Sequence, residues 1–593
     1  MGFLKRPNPS LGDLAGWVPW ALLAFLIPIY IFATASPGFG VYHDDGVYIA
    51  TARSIANGEG YRIGTLPGNV AQTKYPFLYP VLLSLFWAVL PALAARILAF
   101  KLVSLLFAGL WAHAIYRLSV RMGLGSIAAR WICLAVTGSG YVIFAGTAVL
   151  PDTLFAYLLT EALIQLRLIE EGDERLRRAG WTGLVAGLAL LTRALGLAFF
   201  ASAALFLAGT RRYRQCALFV VIAAGLYAPW VLWQNAHGAP ADPVLAYYTK
   251  ACYQAGSIRS IPINQAVEVL MQNAIVIAGS VSLLMDLTLT WTGPPAVAVG
   301  IFLFAAWFCF RDVSRRKWST ALFAVSYIAL LWLWVFPPYK YMLVVLPLFA
   351  IWIARGVTSL TNRPARIALS VALASITTLC CIANGVRTLD DVRRSQAASF
   401  NSRPLDDYRL VARLSGWIRE HTPPDAVIAA NNDPLIGILS DRKSVRGWTY
   451  DPYDLLYAES PKAPVGTLSQ FRDHVLTNRI AYIVVTPSEG FADASYFLRN
   501  IGSAVARCPG ALTLAWHEDG YAIFQTNPAA MSGCAVDHRW ASNGWASNGS
   551  SADSRIASSN PNEPDLNPQS PRTPLRAKPA ARSTSGFRAA VAR

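Results

Sequence analysis

The sequence predicts an α-helical polytopic membrane protein that ends in a small α/β domain. Three observations carry this reading. Charged residues make up only 14% of the 593 positions and hydrophobic residues 54%, whereas a soluble domain carries roughly 25% charged residues. Apolar runs long enough to cross a ~30 Å hydrocarbon core recur through the first 390 residues, separated by short basic clusters. From about residue 404 that pattern gives way to amphipathic and alternating segments, and from residue 531 to Ser/Asn/Pro/Arg/Ala-rich sequence.

The first apolar run, residues 14–35, contains no Lys or Arg. Its prolines are tolerable in a membrane helix, and it exceeds the 7–15 residues of a typical signal-peptide core, so it reads as a retained span. Further spans are expected at residues 97–116, 131–149, 153–169, 180–192, 194–208, 217–233, 296–310, 321–336, 341–353 and 367–382, about eleven in all. Residues 180–208 are short for two crossings. The basic loops decide the matter, because cytoplasmic loops carry the excess of Lys and Arg. Two short helices, turning at the outer face at Arg193, put Arg117/Arg121/Arg130, Arg175/Arg177/Arg178, Arg211/Arg212/Arg214, Arg311/Arg315/Arg316/Lys317 and Arg355/Arg363/Arg366 on the side of Lys5 and Arg6. Counting the apolar residues 77–90 as a span would break this alternation, so they read as an interfacial or re-entrant helix packed against the bundle.

An odd number of spans places everything after residue 382 on the outer side. Residues 1–390 form the transmembrane domain and residues 404–528 a soluble α/β domain. The latter opens with an amphipathic helix carrying Leu410, Leu414 and Ile418 on one face, followed by a Pro-Pro stop and a strand at 426–430. "NRIAYIVVT" and "GYAIFQT" supply two more strands. Residues 531–593 form a basic tail whose composition cannot offset its ordering entropy and stays disordered. The formal charge of +17 is largely a topology signal, and no nucleic-acid partner is needed to explain it. The eight cysteines show no metal-ligand spacing. Cys508 and Cys534 face an oxidising compartment, where they can pair or stay reduced.

Ionisable residues at membrane depth are costly and mark function by default. On the outer side Asp44, Asp45 and Asp152 form one set, and Arg53, Lys74, Arg193, Lys250 and Lys340 the other. The plainer readings are that Asp152 caps a helix beginning at Thr153 and that Lys74 and Lys340 anchor at the interface. As an ensemble, the set suits attack on a sugar held on a lipid phosphate. Cations would hold the phosphate and stabilise its charge as it leaves, while a carboxylate deprotonates the acceptor or binds a metal that does so. Asp44 and Asp45 are the candidates for a divalent metal; no other cofactor is implied.

"HDDGVYIATARSIANGEGY", residues 43–61, resembles the first-loop signature of the polytopic C-type (GT-C) glycosyltransferases, shared by protein O-mannosyltransferases and the lipid A aminoarabinose and galacturonic acid transferases. "TKYPFLYPVLLSLF", "LPDTLFAY", "GLALLTRALGL" and "YKYMLVVLP" are similar to later segments of that superfamily. Tyr75 stands where a proline is common, and Lys340 where Arg-Tyr is usual, a change that alters any bidentate contact. The resemblance implies the GT-C fold and an inverting transferase on the outer face of a bacterial cytoplasmic membrane, its C-terminal domain periplasmic. The donor would be a polyprenyl-phosphate sugar, and the acceptor a lipid, glycan or protein. It also implies that Asp44 leads catalysis with Asp45 and Asp152 beside it. Lys74, Lys340 and Arg193 would bind the donor phosphate, and Tyr48, Arg53 and Lys250 position the acceptor or the loop. The competing class is a non-enzymatic flippase or transporter. Such proteins often show internal repeats; none is apparent, and here the charges gather at one face.

Overall fold

The computed structural model describes residues 11–40, 42–255, 261–280, 295–314, 318–334, 336–398, 406–447, 468–487 and 495–534. The tail from residue 535 onward and the basic residues Arg315, Arg316 and Lys317 lie outside the described residues. Helices dominate the first 395 positions: α1 (Leu11–Ala35), α2 (Asp44–Ala56), α3 (Leu78–Val89), α4 (Leu93–Arg121), α5 (Ser126–Thr137), α6 (Gly140–Thr147), α7 (Asp152–Glu170), α8 (Leu176–Leu190), α9 (Leu197–Gly209) and α10 (Tyr213–Ala236). They continue with the short α11 (Pro243–Ala246) and α12 (Ala251–Ala255), then α13 (Ile263–Gly279), α14 (Pro295–Ser314), α15 (Ser319–Trp332), α16 (Leu346–Thr358) and α17 (Arg363–Ser395). Among the described residues four helices (α1, α4, α10 and α17) are long and apolar enough to cross a membrane, and up to six crossings result if each of two bent pairs counts as one. Shorter apolar helices accompany them, α3 and α15 among them.

Helix α7 is buried on nearly every side, from Thr153 through Leu166, so it forms the axis of the bundle. The outer helices turn apolar side chains outward. Trp20, Leu23, Ile27 and Ile31 of α1 and Val221 and Leu232 of α10 are exposed, as suits surfaces in contact with lipid tails. Helices α8 and α10 meet along Gly183 and Gly187, where a Cβ at Gly183 would sit 2.8 Å from the Phe219 carbonyl oxygen. That is the close approach small residues permit in a membrane.

Several elements differ from the sequence expectation. The span expected at 131–149 is broken into α5 and α6, bent by 70° at Gly138–Ser139. The span expected at 341–353 is a 3₁₀ segment, Pro338–Val344, meeting α16 at 65°; Pro347 in the first turn of α16 cannot donate into a continuous helix. The outer segment after α10 contains the unanticipated α13, whose Ile263, Val267, Met271 and Ile275 form an exposed stripe while Val269, Asn273 and Ile277 are buried. Helix α3 does occur where an interfacial helix was expected, with Tyr79, Leu83 and Trp87 buried and Val81, Leu85 and Val89 exposed.

Beyond α17 the C-terminal domain comprises α18 (Tyr408–His421), α19 (Asp433–Ser440), α20 (Leu468–Thr477), α21 (Ser495–Arg507) and a sheet. Two short strands in the first loop, β1 (Arg62–Ile63) and β2 (Val70–Ala71), precede it in the chain. The sheet holds β3 (Val427–Ala430), β4 (Lys443–Arg446), β5 (Ile480–Val485), β6 (Leu512–Glu518) and β7 (Tyr521–Thr526) in the order β4-β3-β5-β7-β6. Strands β4, β3 and β5 run parallel, and β7 and β6 join antiparallel. The three expected strands are β3, β5 and β7; β4 and β6 are additional. A last helix, Pro528–Ser532, buries Met531 completely, and Cys534 is disulfide-bonded to Cys508. These residues therefore belong with the sheet domain rather than with the tail expected to start at residue 531.

Candidate functional site

The loop after α1 turns sharply into α2 and sets Asp44 and Asp45 in that helix's first turn. The two neighbours point apart, and their surroundings separate them. Asp44 Oδ1 accepts a hydrogen bond from the Tyr75 hydroxyl at 2.7 Å, and its Oδ2 lies 3.4 Å from Lys340 Nζ. Burial opposes ionisation of Asp44, but the charges of Lys340 and Lys74 and the Tyr75 bond outweigh it and hold the carboxyl well below the usual carboxylate range. Asp45 is buried and accepts from the backbone N–H groups of Gly40 (2.6 Å), Tyr42 (3.1 Å) and Gly46 (3.1 Å). It braces the loop and does not line the cavity that Asp44 faces. Burial pushes its carboxyl up to about 7, against those three bonds.

That cavity, about 170 Å³, is lined by Tyr42, Asp44, Lys74, Tyr75, Arg193 and Lys340, with Tyr247, Tyr253, Phe336, Pro337, Tyr339 and Tyr341 completing the wall. Lys74, on the extended segment between β2 and α3, sits 4.0 Å over the Tyr247 ring and 3.4 Å from that residue's carbonyl oxygen. Lys340, in the 3₁₀ segment before α16, lies 4.7 Å from the Tyr42 ring centroid. Arg193, at the break between α8 and α9, gives Nη2 to Asp152 Oδ2 at 2.6 Å, while its buried Nε has no hydrogen-bond partner. Three cations against one carboxylate in the wall leave the cavity positive, and with Arg193 balanced by Asp152 it remains so. A buried donor without a partner costs about 1–3 kcal/mol.

The structure thus brings together Asp44, Lys74, Lys340 and Arg193, and sorts the other sequence candidates differently. Asp152 is the first residue of α7, and its side chain makes no cap; it accepts from Arg193 and, at 3.1 Å, from the Tyr141 hydroxyl, so it orients the guanidinium. Tyr48 is buried behind the site, its ring 4.7 Å from Tyr75 and its hydroxyl without a partner. Arg53 is turned away and pairs with Asp441 of the C-terminal domain. Lys250 Nζ donates to the Gln234 carbonyl oxygen at 2.5 Å and does not line the cavity; from its segment it is Tyr247 and Tyr253 that reach the site. The divalent-metal reading of Asp44 and Asp45 does not fit. Their oxygens are committed to Tyr75 and Lys340 on one side and to three amides on the other, and among the described residues no group of three or more His, Cys, Asp or Glu side chains converges.

Sequence reasoning missed the tyrosine wall and a buried cation. Lys101 of α4, inside an expected span, donates to the Ser36 carbonyl at 2.6 Å and hydroxyl at 3.1 Å and so ties down the start of the loop that leads into α2. A lysine in mid-span was the available signal, since a charge there needs a partner.

No protein-family profile matches the chain, and no curated protein does. Among solved structures, the chain is similar to ArnT from Cupriavidus metallidurans in two states. The apo state aligns with a TM-score of 0.54 and the state bound to undecaprenyl phosphate with 0.52; each shows 13% identity and covers 87% of this chain and 99% of that one. The chain therefore has the fold of these ArnT structures, with helices of the membrane-spanning type.

Proposed function

We propose that this protein is a membrane glycosyltransferase that moves a sugar from a polyprenyl-phosphate donor to a lipid, glycan or protein acceptor. It would work on the outer face of a bacterial cytoplasmic membrane, with its C-terminal domain in the periplasm. One observation carries the reading: an ionised, half-buried carboxylate, Asp44, shares a positive aromatic cavity with Lys74, Lys340 and Arg193. The likeness to a fold seen with undecaprenyl phosphate bound supports it. At about 170 Å³ the cavity falls below the ~300–1,000 Å³ of a pocket for a whole drug-sized ligand, and suits a lipid's head rather than its tail.

In this reading the donor phosphate sits between Lys74 and Lys340 beside the guanidinium of Arg193, which Asp152, itself hydrogen-bonded by Tyr141, holds in place. The acceptor oxygen attacks the anomeric carbon from the face opposite the phosphate. The new acceptor–carbon bond forms as the carbon–oxygen bond to phosphate breaks, and polyprenyl phosphate leaves with the electron pair. The acceptor's proton passes to Asp44, and the anomeric configuration inverts. A carboxyl held as low as Asp44 is a weak base in the free protein. Phosphate between the two lysines offsets their charge and lifts that pKa, so the base strengthens once the donor is bound. The leaving group is already a phosphate, so no general acid is needed; the cations stabilise it.

Mass spectrometry of membrane lipids and surface glycans from a deletion strain tests this. The expected result is one missing sugar and an accumulated polyprenyl-phosphate sugar, both restored by the intact gene. An unchanged profile for both would overturn the proposal.

A further inference from the structure

The C-terminal domain reaches the catalytic loop through a buried polar cluster that the reaction scheme does not use. His43, which immediately precedes Asp44, is buried, and its Nε2 lies 3.2 Å from Asp433 Oδ1 and 3.3 Å from Arg446 Nε. Asp433 opens α19 and Arg446 ends β4, some 390 and 403 residues away in the chain. Asp433 is 0% and Arg446 2% exposed. That single ring nitrogen can donate to Asp433 or accept from Arg446, one at a time, so the imidazole is held between the two.

The His43 backbone has φ of 65°, the left-handed region that a residue with a side chain avoids unless its surroundings impose it. Its carbonyl oxygen accepts from Val47 N–H at 3.1 Å, the first bond of α2. The direction in which Asp44 leaves the loop is thus set at His43. The fit around it is tight. A Cβ on Gly40 would meet Leu435 at 2.8 Å and one on Gly46 would meet Pro434 at 2.7 Å, while Asn432 Nδ2 donates to the Gly40 carbonyl at 2.6 Å. A second arm leads to the phosphate side. The Arg446 guanidinium lies 4.1 Å over the Tyr247 ring, and Lys74 Nζ lies 4.0 Å from the centroid of the same ring.

We propose that His43, Asp433 and Arg446 form a latch through which the C-terminal domain positions Asp44, and that this domain is accordingly a working part of the active site. His43 and Asp433 are positioning residues: neither lines the cavity, and both act through the backbone at the head of α2. The inference rests on Asp44 being the catalytic carboxylate, as argued above.

His43→Asn is the informative variant, because Asn tolerates a left-handed φ while the imidazole link to Asp433 is lost; Asp433→Asn breaks the same link from the other side if the first variant fails to fold. The rate is read as the product missing from the deletion strain, formed in membranes holding matched amounts of folded variant. Turnover should fall about 10- to 100-fold, the scale of a misplaced catalytic group. Undecaprenyl phosphate, used as the binding probe, should keep its wild-type affinity. In an Asp44→Asn background, His43→Asn should subtract nothing further, since there is no carboxylate left to position. Wild-type turnover in folded His43→Asn, or losses that multiply in the double variant, would overturn the latch. Normal turnover in Asp44→Asn alone would instead remove the reading it rests on, so the two failures are distinct.

Discussion

Replacing Lys340 with Met removes a charge that the proposed reaction uses at two ends, while nearly preserving side-chain length. At 3.4 Å the Lys340–Asp44 attraction is about 5 kcal/mol gross at an effective dielectric constant of about 20, most of it offset by the cost of burying both charges. Against the donor, the lost charge-assisted hydrogen bond is worth roughly 1.5–3 kcal/mol, which is about 10- to 150-fold in affinity. Against Asp44, the change removes the larger of the two lysine contributions that hold its carboxyl low. The sign follows. A carboxyl with a depressed folded pKa stabilises the fold above its unfolded value of about 3.9 and loses that contribution as pH falls through the folded value. In Lys340→Met the folded value rises, so less of this stabilisation remains at neutral pH, and the acid limb of kcat/KM moves to higher pH. Titration of purified protein in nanodiscs with undecaprenyl phosphate, followed by a pH–rate profile, measures both. Wild-type affinity together with an unmoved acid limb would refute the role given to this lysine.

Three other expectations follow from the same geometry. Arg53→Ala should leave turnover unchanged and cost at most about 1 kcal/mol, because its pair with Asp441 is 30% and 62% exposed; a large loss of turnover in folded protein would return Arg53 to the site. Truncation after Cys534 should retain insertion and activity, whereas truncation after Pro528 discards Met531 and a disulfide with a sequence separation of 26, worth about 3.5 kcal/mol on the chain-entropy scale; equal melting temperatures would contradict this. Cysteines introduced at Glu59 and Glu420 should label from outside intact cells and one at Glu174 only after permeabilisation; labelling of Glu59 and Glu420 from opposite sides would break the assigned topology.

What the sequence made legible follows from the cost of charge near lipid. Asp44, Lys74, Arg193 and Lys340 stand at the ends of apolar runs, where few residues other than functional ones keep a charge, and all four line one cavity. Only the family resemblance ranked Asp44 ahead of Asp45; the residues alone could not, because successive residues in a helix turn about 100° apart and packing decides which faces inward. Asp152 matched a capping pattern, yet its partner Arg193 lies 41 residues on, a separation no local pattern encodes. Arg53 and Lys250 have the charge of site residues but the wrong side of their elements. The breaks at Gly138–Ser139 and before Pro347 were marked by ordinary helix breakers, hidden within runs whose apolar length argued for one straight span. The latch on His43 joins residues about 400 positions apart and had no sequence signal beyond a histidine beside the acidic pair.

Turnover of purified Asp44→Asn tests the central claim most directly. The change keeps size and most hydrogen bonding but removes the charge and the basicity. The account predicts a loss of at least ~10²-fold, typical of a missing general base, in a folded variant that binds undecaprenyl phosphate at least as tightly as wild type, since an anion beside the phosphate has gone. Near-normal turnover in that folded variant would contradict the account.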